Sequence, residues 1–280
     1  MKKIKVEKIT EVVKNMCQEA NFHLNHDIYK ALNESIAVEV SPTGKNILKD
    51  LVSNADLALK KQVPMCQDTG MVVVFVKLGQ EVYIEGGLLE EAIQEGIRQG
   101  YVEGYLRKSV VKDPLIRINT NDNTPGVIHY DVVAGDGLEI TLAPKGFGSE
   151  NMSQMKLLKP ADGIEGVKAF VLDVVEAAGP NPCPPIVVGV GIGGTIEKAA
   201  YLAKKSLMRP LNEGQSEAHL KKLEEELLEE INKLGIGPQG LGGITTALGV
   251  HVEVYPTHIA GLPVVVNINC HASRHLTEKL

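Results

Sequence analysis

The sequence predicts an α/β protein of mixed α+β layers, with a helical N-terminal third followed by mixed sheets flanked by helices. Three observations predict it. Apolar residues over about 1–62 recur at helical spacing. Runs of β-branched residues bounded by turn residues follow from Met71 onward. Beyond residue 160, apolar strands alternate with amphipathic stretches, the pattern of a layered α/β architecture.

Each element has its own signal. Ile4, Val6, Ile9, Val12, Val13 and Met16, with Lys and Glu between them, place a first helix. Cys17 lies at its end and reads as a buried structural thiol. A second helix runs from Asp27 to about Val40, where Ser41-Pro42-Thr43-Gly44 breaks it. A third covers about Lys45–Lys61, and Pro64 stops the pattern. Met71–Lys77 is a buried strand, and Gly86-Gly87 opens a helix to about Gly100. Residues 107–126 are so rich in Asn, Asp and Thr that local side-chain hydrogen bonds predict an ordered loop. Strands follow at about Val127–Val133 and Leu138–Leu142, then a Gly-rich loop, Lys145–Asn151. The last portion reads as helix 161–177, strand 186–190, helices 195–205 and 217–234, and strands 250–255 and 263–268. The charged helix 217–234 is a solvated face or an oligomer contact. The whole chain, 1–280, reads as one domain, helical over about 1–62 and α/β over about 63–280.

Bulk composition excludes several function classes. The chain is 44% hydrophobic and 23% charged, ordinary for a globular protein with a core. Its net charge is -6, from 35 acidic and 29 basic residues, which argues against a nucleic-acid surface. It has no Trp and 4% aromatic residues, so platforms for stacking bases are scarce. Glu7 and Lys8 interrupt any apolar signal core, and the apolar run Met71–Val76 is too short to span a bilayer. Four cysteines, at 17, 66, 183 and 270, do not make a secreted disulfide framework in a chain of this length. A reducing cytoplasm is therefore the expected location, and there the thiols pose a question of metal binding or catalysis.

Three of those thiols stand in Gly- and Pro-punctuated turns. They are Cys66 in Pro-Met-Cys-Gln-Asp-Thr-Gly, Cys183 in Gly-Pro-Asn-Pro-Cys-Pro-Pro, and Cys270 in Asn-Ile-Asn-Cys-His-Ala-Ser-Arg-His. Core cysteines need no such setting. Structural zinc favours close Cys-x-x-Cys pairs, whereas these thiols are 117 (183 − 66) and 87 (270 − 183) residues apart. Cys270-His271 with His275 is weak support for zinc. If the three converge, they suit an iron–sulfur cluster better. A four-iron cluster usually takes four thiolates. Three leave one iron open as a Lewis acid, which points to chemistry rather than electron transfer.

The neighbours fit such chemistry. Gln67 and Asp68 follow Cys66 directly, and a carboxylate there can move or orient a proton. Arg107 and Arg117 can grip a carboxylate bidentately, with Arg274 a further candidate. His258 lies twelve residues before Cys270, in a loop expected to face the cluster. Gly189-Val-Gly-Ile-Gly-Gly194 matches a dinucleotide fingerprint, but the acidic residue expected at the end of the following strand is missing. Lys145-Gly-Phe-Gly-Ser-Glu-Asn151 lacks the order of a P-loop. Both Gly-rich loops read as close-approach backbone around a small acidic ligand. A non-catalytic iron–sulfur or redox-sensing module and a nucleotide-binding enzyme remain as readings from other classes.

Five motifs in order carry a resemblance: Pro-Met-Cys-Gln-Asp-Thr-Gly, Asn-Thr-Asn-Asp-Asn-Thr-Pro, Lys-Gly-Phe-Gly-Ser-Glu-Asn, Pro-Cys-Pro-Pro with Gly-Ile-Gly-Gly, and Asn-Cys-His-Ala-Ser-Arg-His. From about residue 10 to 275 the chain resembles the class I iron–sulfur fumarate hydratase and L(+)-tartrate dehydratase family, specifically its α-subunit or N-terminal region. The resemblance implies an oxygen-sensitive [4Fe-4S] cluster on Cys66, Cys183 and Cys270, with one open iron. It implies reversible addition of water to a dicarboxylate, fumarate to malate first and L(+)-tartrate as the alternative. For fumarate the reaction belongs to the tricarboxylic acid cycle. It further implies that Gln67, Asp68, Arg107, Gly148 and His258 line the substrate site, with Asp68 and His258 managing protons. In single-chain members a C-terminal domain adds a Thr base, Arg residues and a Lys. A chain ending at Leu280 is therefore expected to need a β-subunit to complete the active site, within a dimer of αβ pairs.

Overall fold

The computed structural model describes residues 2–280. In chain order its elements begin with β1 (Lys2–Lys5), α1 (Val6–Phe22), α2 (His26–Val38), α3 (Pro42–Lys61), β2 (Met71–Gly79), β3 (Val82–Glu85) and α4 (Leu89–Glu103). There follow β4 (Val127–Val133), β5 (Leu138–Lys145), α5 (Phe147–Glu150), β6 (Gln154–Leu158) and α6 (Gly163–Ala178). The chain ends with β7 (Ile186–Gly193), α7 (Ile196–Ser206), α8 (Ala218–Lys233), β8 (Ala247–Tyr255), β9 (Leu262–Asn269) and β10 (Leu276–Lys279). The fold is mixed α/β, as the sequence predicts.

The chain divides into two compact units. The first takes residues up to Leu24, Ala55–Phe147 and Arg274–Leu280; the second takes Asn25–Asn54 and Gly148–Ser273.

The first unit is built on a four-stranded sheet of order β10-β5-β2-β4, with β2 and β4 parallel and the other pairs antiparallel. Val72, Val74 and Val76 of β2 and Ile140 and Leu142 of β5 bury one face against α1 and α4. Those helices approach closely because α4 offers glycine at the contact. A Cβ on Gly96 would sit 2.7 Å from Val13 Cβ, and one on Gly100 would sit 2.7 Å from Cys17 Cβ. Cys17 is accordingly buried, a structural thiol as expected. The sequence pattern placed Ile4 in the first helix. Instead Lys2–Lys5 pairs in parallel with Val82–Glu85, which buries Ile4 and delays the helix to Val6.

The second unit has a sheet of order β6-β9-β7-β8, with β7 and β8 parallel and the other pairs antiparallel. Val188 and Val190 face a core filled by Phe170, Val171 and Val174 of α6 and Leu223, Leu227 and Ile231 of α8. The opposite face carries α7. Here the reading of Gly189–Gly194 as a ligand loop is overturned. Gly189 and Gly191 lie inside β7, where a Cβ would stand 2.2 Å from Ala203 O and 2.0 Å from Ala199 O. The glycines exist to let α7 lie on the strand.

Two further boundaries differ from the pattern. Helix α3 starts at Pro42 rather than Lys45, because proline suits the first helical position and Ser41 Oγ caps it, accepting from Gly44 N at 3.1 Å. Part of the Gly-rich stretch after β5 coils into the short helix α5.

Candidate active site

In the first unit, residues 62–70 join α3 to β2 and carry Cys66, Gln67 and Asp68. Nothing regular satisfies the carbonyls of this loop, so buried side chains do it. Tyr101 Oη on α4 donates to Thr69 O at 2.5 Å, with Gly70 O at 3.2 Å. Asn123 Nδ2 donates to Gly70 O at 3.1 Å, and Arg274 Nη2 donates to Asp68 O at 2.9 Å. Asn21 O accepts from Met65 N at 3.0 Å, and Asn21 Oδ1 accepts from Arg274 at 3.2 Å. Tyr101, Asn123, Asn21 and Arg274 are all buried. Burial pushes the Tyr101 phenol up from its ordinary range, which keeps its hydroxyl a donor.

This shell fixes the chemistry-bearing groups. The Asp68 carboxylate accepts from Gly70 N at 3.0 Å and from Phe147 N at 2.8 Å, so its plane is set by two main-chain donors. Gly70 takes φ +77°, and a Cβ there would meet Lys145 N at 2.7 Å; no other residue fits. Thr69 Oγ1 donates to Arg107 O at 3.1 Å, and Asn123 Oδ1 accepts from Ser109 N at 2.7 Å. These bonds tie the Arg107 strand of the loop to the Cys66 loop. Cys66 is half-buried, with Sγ 3.3 Å from Gln67 Oε1, while Gln67 and Arg107 are exposed. The first unit thus brings together Cys66, Gln67, Asp68 and Arg107.

Arg274 is not the free carboxylate grip its residue type suggested; its guanidinium is committed to Asp68 O and Asn21. Arg117 stands in an exposed turn with Nη1 on Pro114 O at 3.3 Å. The Asn/Thr stretch is an ordered loop, as expected. Asn121 N donates to Asn119 Oδ1 at 2.7 Å and Thr124 N to Asp122 Oδ1 at 3.0 Å.

In the second unit, a hydrogen bond joins the Cys183 loop to the residue after Cys270. Cys270 follows β9 directly, and the next residue, His271, donates its N–H to Cys183 O at 3.3 Å. The Cys183 loop is also held by Gln239, whose Nε2 donates to Pro184 O at 2.8 Å and lies 3.2 Å from His271 Nδ1. Cys183 is exposed and takes φ +56°, an uncommon conformation for a residue with a side chain. Gly148 belongs to the same end: a Cβ on it would meet only Asn181 O, at 3.6 Å. Its backbone is therefore open to a small ligand.

His258 is elsewhere in this unit. Its turn precedes β9, whereas Cys270 follows it, so the length of the strand separates them. Thr257 Oγ1 donates to Gly194 O at 2.9 Å, which fixes the turn at the Gly193 end of β7, and Cys183 lies near the Ile186 end. His258 is exposed, and its Nδ1 accepts from Ala260 N at 3.2 Å.

The donor set suits a cluster in its chemistry. Three thiols sit on loops, exposed or half-buried, while burial pushes the fourth, Cys17, far above its ordinary range. Among the described residues, no group of three or more His, Cys, Asp or Glu side chains is gathered to hold a single metal ion. A four-iron cluster makes a different demand, because each thiolate binds its own iron. A groove of about 590 Å³ beside α2 and α8, lined by Val38, Leu228, Ile244 and Leu248 among others, contains none of the candidate residues. Among the described residues no helix is long and apolar enough to cross a membrane.

Sequence reasoning missed the loop-holding residues Asn21, Tyr101, Asn123 and Gln239. Only Asn123 carried a signal, as part of a stretch too polar to be anything but ordered loop.

The family model described as fumarate hydratase (Fumerase) matches residues 10–279. A Methanocaldococcus jannaschii protein, provisionally named L(+)-tartrate dehydratase subunit alpha, is 45% identical over 279 residues, covering 98% of each chain. The L(+)-tartrate dehydratase subunit alpha of Escherichia coli UTI89 is 34% identical over 279 residues, covering 98% of this chain and 91% of its own. That of Escherichia coli K12 is 34% identical over 276 residues, covering 97% and 90%. With a match across nearly the whole chain and the motif residues in the loops just described, this protein belongs to the fumarate hydratase (Fumerase) family.

Proposed function

We propose that this chain is the cluster-bearing α-subunit of a [4Fe-4S] hydro-lyase that adds water to, or removes it from, a dicarboxylate, fumarate to malate in the leading reading. All 280 residues act as one hydro-lyase α-type domain, and a separate β-subunit completes the active site, in a dimer of αβ pairs. The observation that carries the reading is the partition of the cysteines. Cys66, Cys183 and Cys270 occupy side-chain-braced loops with accessible thiols, and Cys17 alone is buried. Cys66, Cys183 and Cys270 hold the cluster. When bound, the cluster supplies an iron without a protein ligand, a Lewis acid for the substrate's hydroxyl and carboxylate.

The rest is the work of the chain's own groups. Arg107, exposed beside the Asp68 loop, offers a bidentate grip to a substrate carboxylate. The open backbone at Gly148 and the Gln67 amide complete the cradle. Asp68, oriented by Gly70 N and Phe147 N, keeps further lone pairs on both oxygens to accept or hold a proton. His258, the other proton-handling candidate, stands at the far end of β9 from Cys270, so within this chain Asp68 is the one of the pair that lies beside a thiol loop. The base that takes the C3 proton comes from the β-subunit.

A second reading, an L(+)-tartrate dehydratase α-subunit, is favoured by the names of the relatives. One hydroxyl separates the substrates, and pocket details decide between them. Assay of the αβ complex, purified without air, against fumarate, malate and L(+)-tartrate tests both readings. Interconversion of fumarate and malate, or dehydration of L(+)-tartrate, is expected. Absence of all turnover in a complex with full iron content leaves the non-catalytic iron–sulfur module instead.

A further inference from the structure

Strand β4 forms one edge of the first unit's sheet, and that edge is unprotected. It runs Val127–Val133, 7 residues, and pairs along its whole length with β2, in parallel and in continuous register. Gln80 N donates to Val133 O at 2.8 Å, so Val133 bonds inward, to the β2 side. In a parallel pair each residue sends both its main-chain groups to one side, and the side alternates along the strand. Asp131, His129 and Val127 therefore bond inward as well. Ile128, Tyr130 and Val132 turn their N–H and C=O groups outward. Among the described residues, none of those outward groups has a hydrogen-bond partner.

Native edge strands are blunted by shortness, Lys, Pro or a bulge. The opposite edge of the same sheet, β10, follows that rule: it is 4 residues long and ends in Glu278-Lys279. Strand β4 contains no Pro, Lys or Arg, and Val132 is 67% exposed, with Val127, Tyr130 and Val133 exposed beside it. An apolar edge with outward main-chain groups is a template for another strand.

The sequence of β4 indicates which strand. Laid antiparallel on itself about Tyr130, Val-Ile-His-Tyr-Asp-Val-Val sets Val127 against Val133, Ile128 against Val132 and His129 against Asp131. Outward-bonding residues then meet outward-bonding residues, so the N–H groups of Ile128, Tyr130 and Val132 in each copy find carbonyls in the other. His129 and Asp131 fall at non-hydrogen-bonded positions, where facing side chains come closest, and an imidazole N–H can donate to the carboxylate across the contact. Other two-fold registers are poorer. Centred on Asp131, the strands oppose two carboxylates; centred on His129, they set Asp131 against Val127. Tyr130 is the centre that pairs the whole strand.

We propose that β4 pairs with β4 of a second copy of this chain, antiparallel about Tyr130, so that the two four-stranded sheets continue into one another across a two-fold axis. The proposal takes from the hydro-lyase reading only the dimer of αβ pairs, to which it gives a contact surface. The chemistry of the thiol loops plays no part in it.

Cross-linking in the αβ complex, purified without air, tests it. Tyr130 faces its own copy, so Tyr130→Cys treated with a short bismaleimide should couple α-chain to α-chain well above the parent background. In Val127→Cys the two thiols stand roughly 20 Å apart along the paired strands, and coupling should stay at background. No α–α coupling from Tyr130→Cys, equal coupling from both positions, or coupling of Tyr130→Cys to the β-subunit overturns the proposal; the last outcome assigns the edge to a strand of that subunit. A second variant separates pairing from folding. The Val132 N–H points outward, so Val132→Pro spares the bonds to β2 and removes one from each half of the contact. By sedimentation, association between αβ pairs should weaken at least about tenfold, with iron content at the parental level. Unchanged association overturns the proposal too. A parent complex that holds no iron counts against the hydro-lyase reading, while the cross-links still decide the pairing of β4.

Discussion

Arg274 Nη2 donates to the main-chain carbonyl of Asp68 at 2.9 Å, from a side chain that is itself buried. The residue that looks most like a substrate-binding arginine in the last cysteine motif is thus a brace for the loop that carries a proposed proton-handling carboxylate. Arg274→Ala leaves Asp68 O and Asn21 Oδ1 without this donor. Stability should fall by about 2–4 kcal/mol, read as a lower urea midpoint. Activity should fall about 100-fold through misplacement of Asp68. A variant of normal stability and activity removes the brace from the account.

The cysteines should separate into two chemical classes. In cluster-free protein, Cys66, Cys183 and Cys270 should react with an aromatic disulfide reagent within minutes at pH 8. Cys17, buried against Gly100 with its thiol pushed far up, should react only on unfolding. Three fast thiols per chain and one released by denaturant are expected; four fast thiols contradict the burial.

Glu39 sets a pH dependence of stability. Burial works to raise its carboxyl, but the N–H groups of Ser41, Ile244 and Thr245 and the Thr245 hydroxyl outweigh burial and hold it below the ordinary carboxylate range. A depressed folded-state pKa contributes stability that is fully present above the unfolded carboxylate range. That stability is lost as pH falls through the range to the folded value. Glu39→Gln should cost about 2 kcal/mol at pH 7 and flatten the loss of stability on acidification. Parallel acid limbs in parent and variant, measured by denaturant titration from pH 7 to 3, rule this out.

Gly189→Ala and Gly191→Ala should destabilise the protein by about 2–3 kcal/mol or prevent folding, because the added methyl meets the α7 backbone at 2.2 and 2.0 Å. Dinucleotide titration of the parent should show no saturable binding. Stable alanine variants together with NAD affinity would restore the fingerprint reading.

What the sequence made legible follows the range of the interaction concerned. Helices α1 to α3 announce themselves by periodicity, strand β2 by its run of β-branched residues, and the Asn119–Pro125 loop by side chains that bond their own backbone. The strands β1, β3, β6 and β10 are 4 or 5 residues long. Their patterns are short, and β1 exists only because Val82–Glu85 lies beside it. The three cysteine loops stood out through local Pro and Gly context. Their supports did not: Asn21, Tyr101 and Arg274 converge on residues 65–70 from positions far away in the chain. The Gly-x-Gly pattern misled because it records only that something approaches the backbone closely, whether a ligand or a helix. The end-to-end separation of His258 and Cys270 could not be read from a spacing of twelve residues until those residues proved to be a strand.

The central claim is that Cys183, with Cys66 and Cys270, holds the cluster. Its most direct test is the iron content of anaerobically reconstituted αβ complex, parent against Cys183→Ser. About four irons per α-chain and a broad visible absorption are expected for the parent, with both lost or largely depleted in the variant. A Cys183→Ser complex that keeps parental iron and absorption contradicts the account.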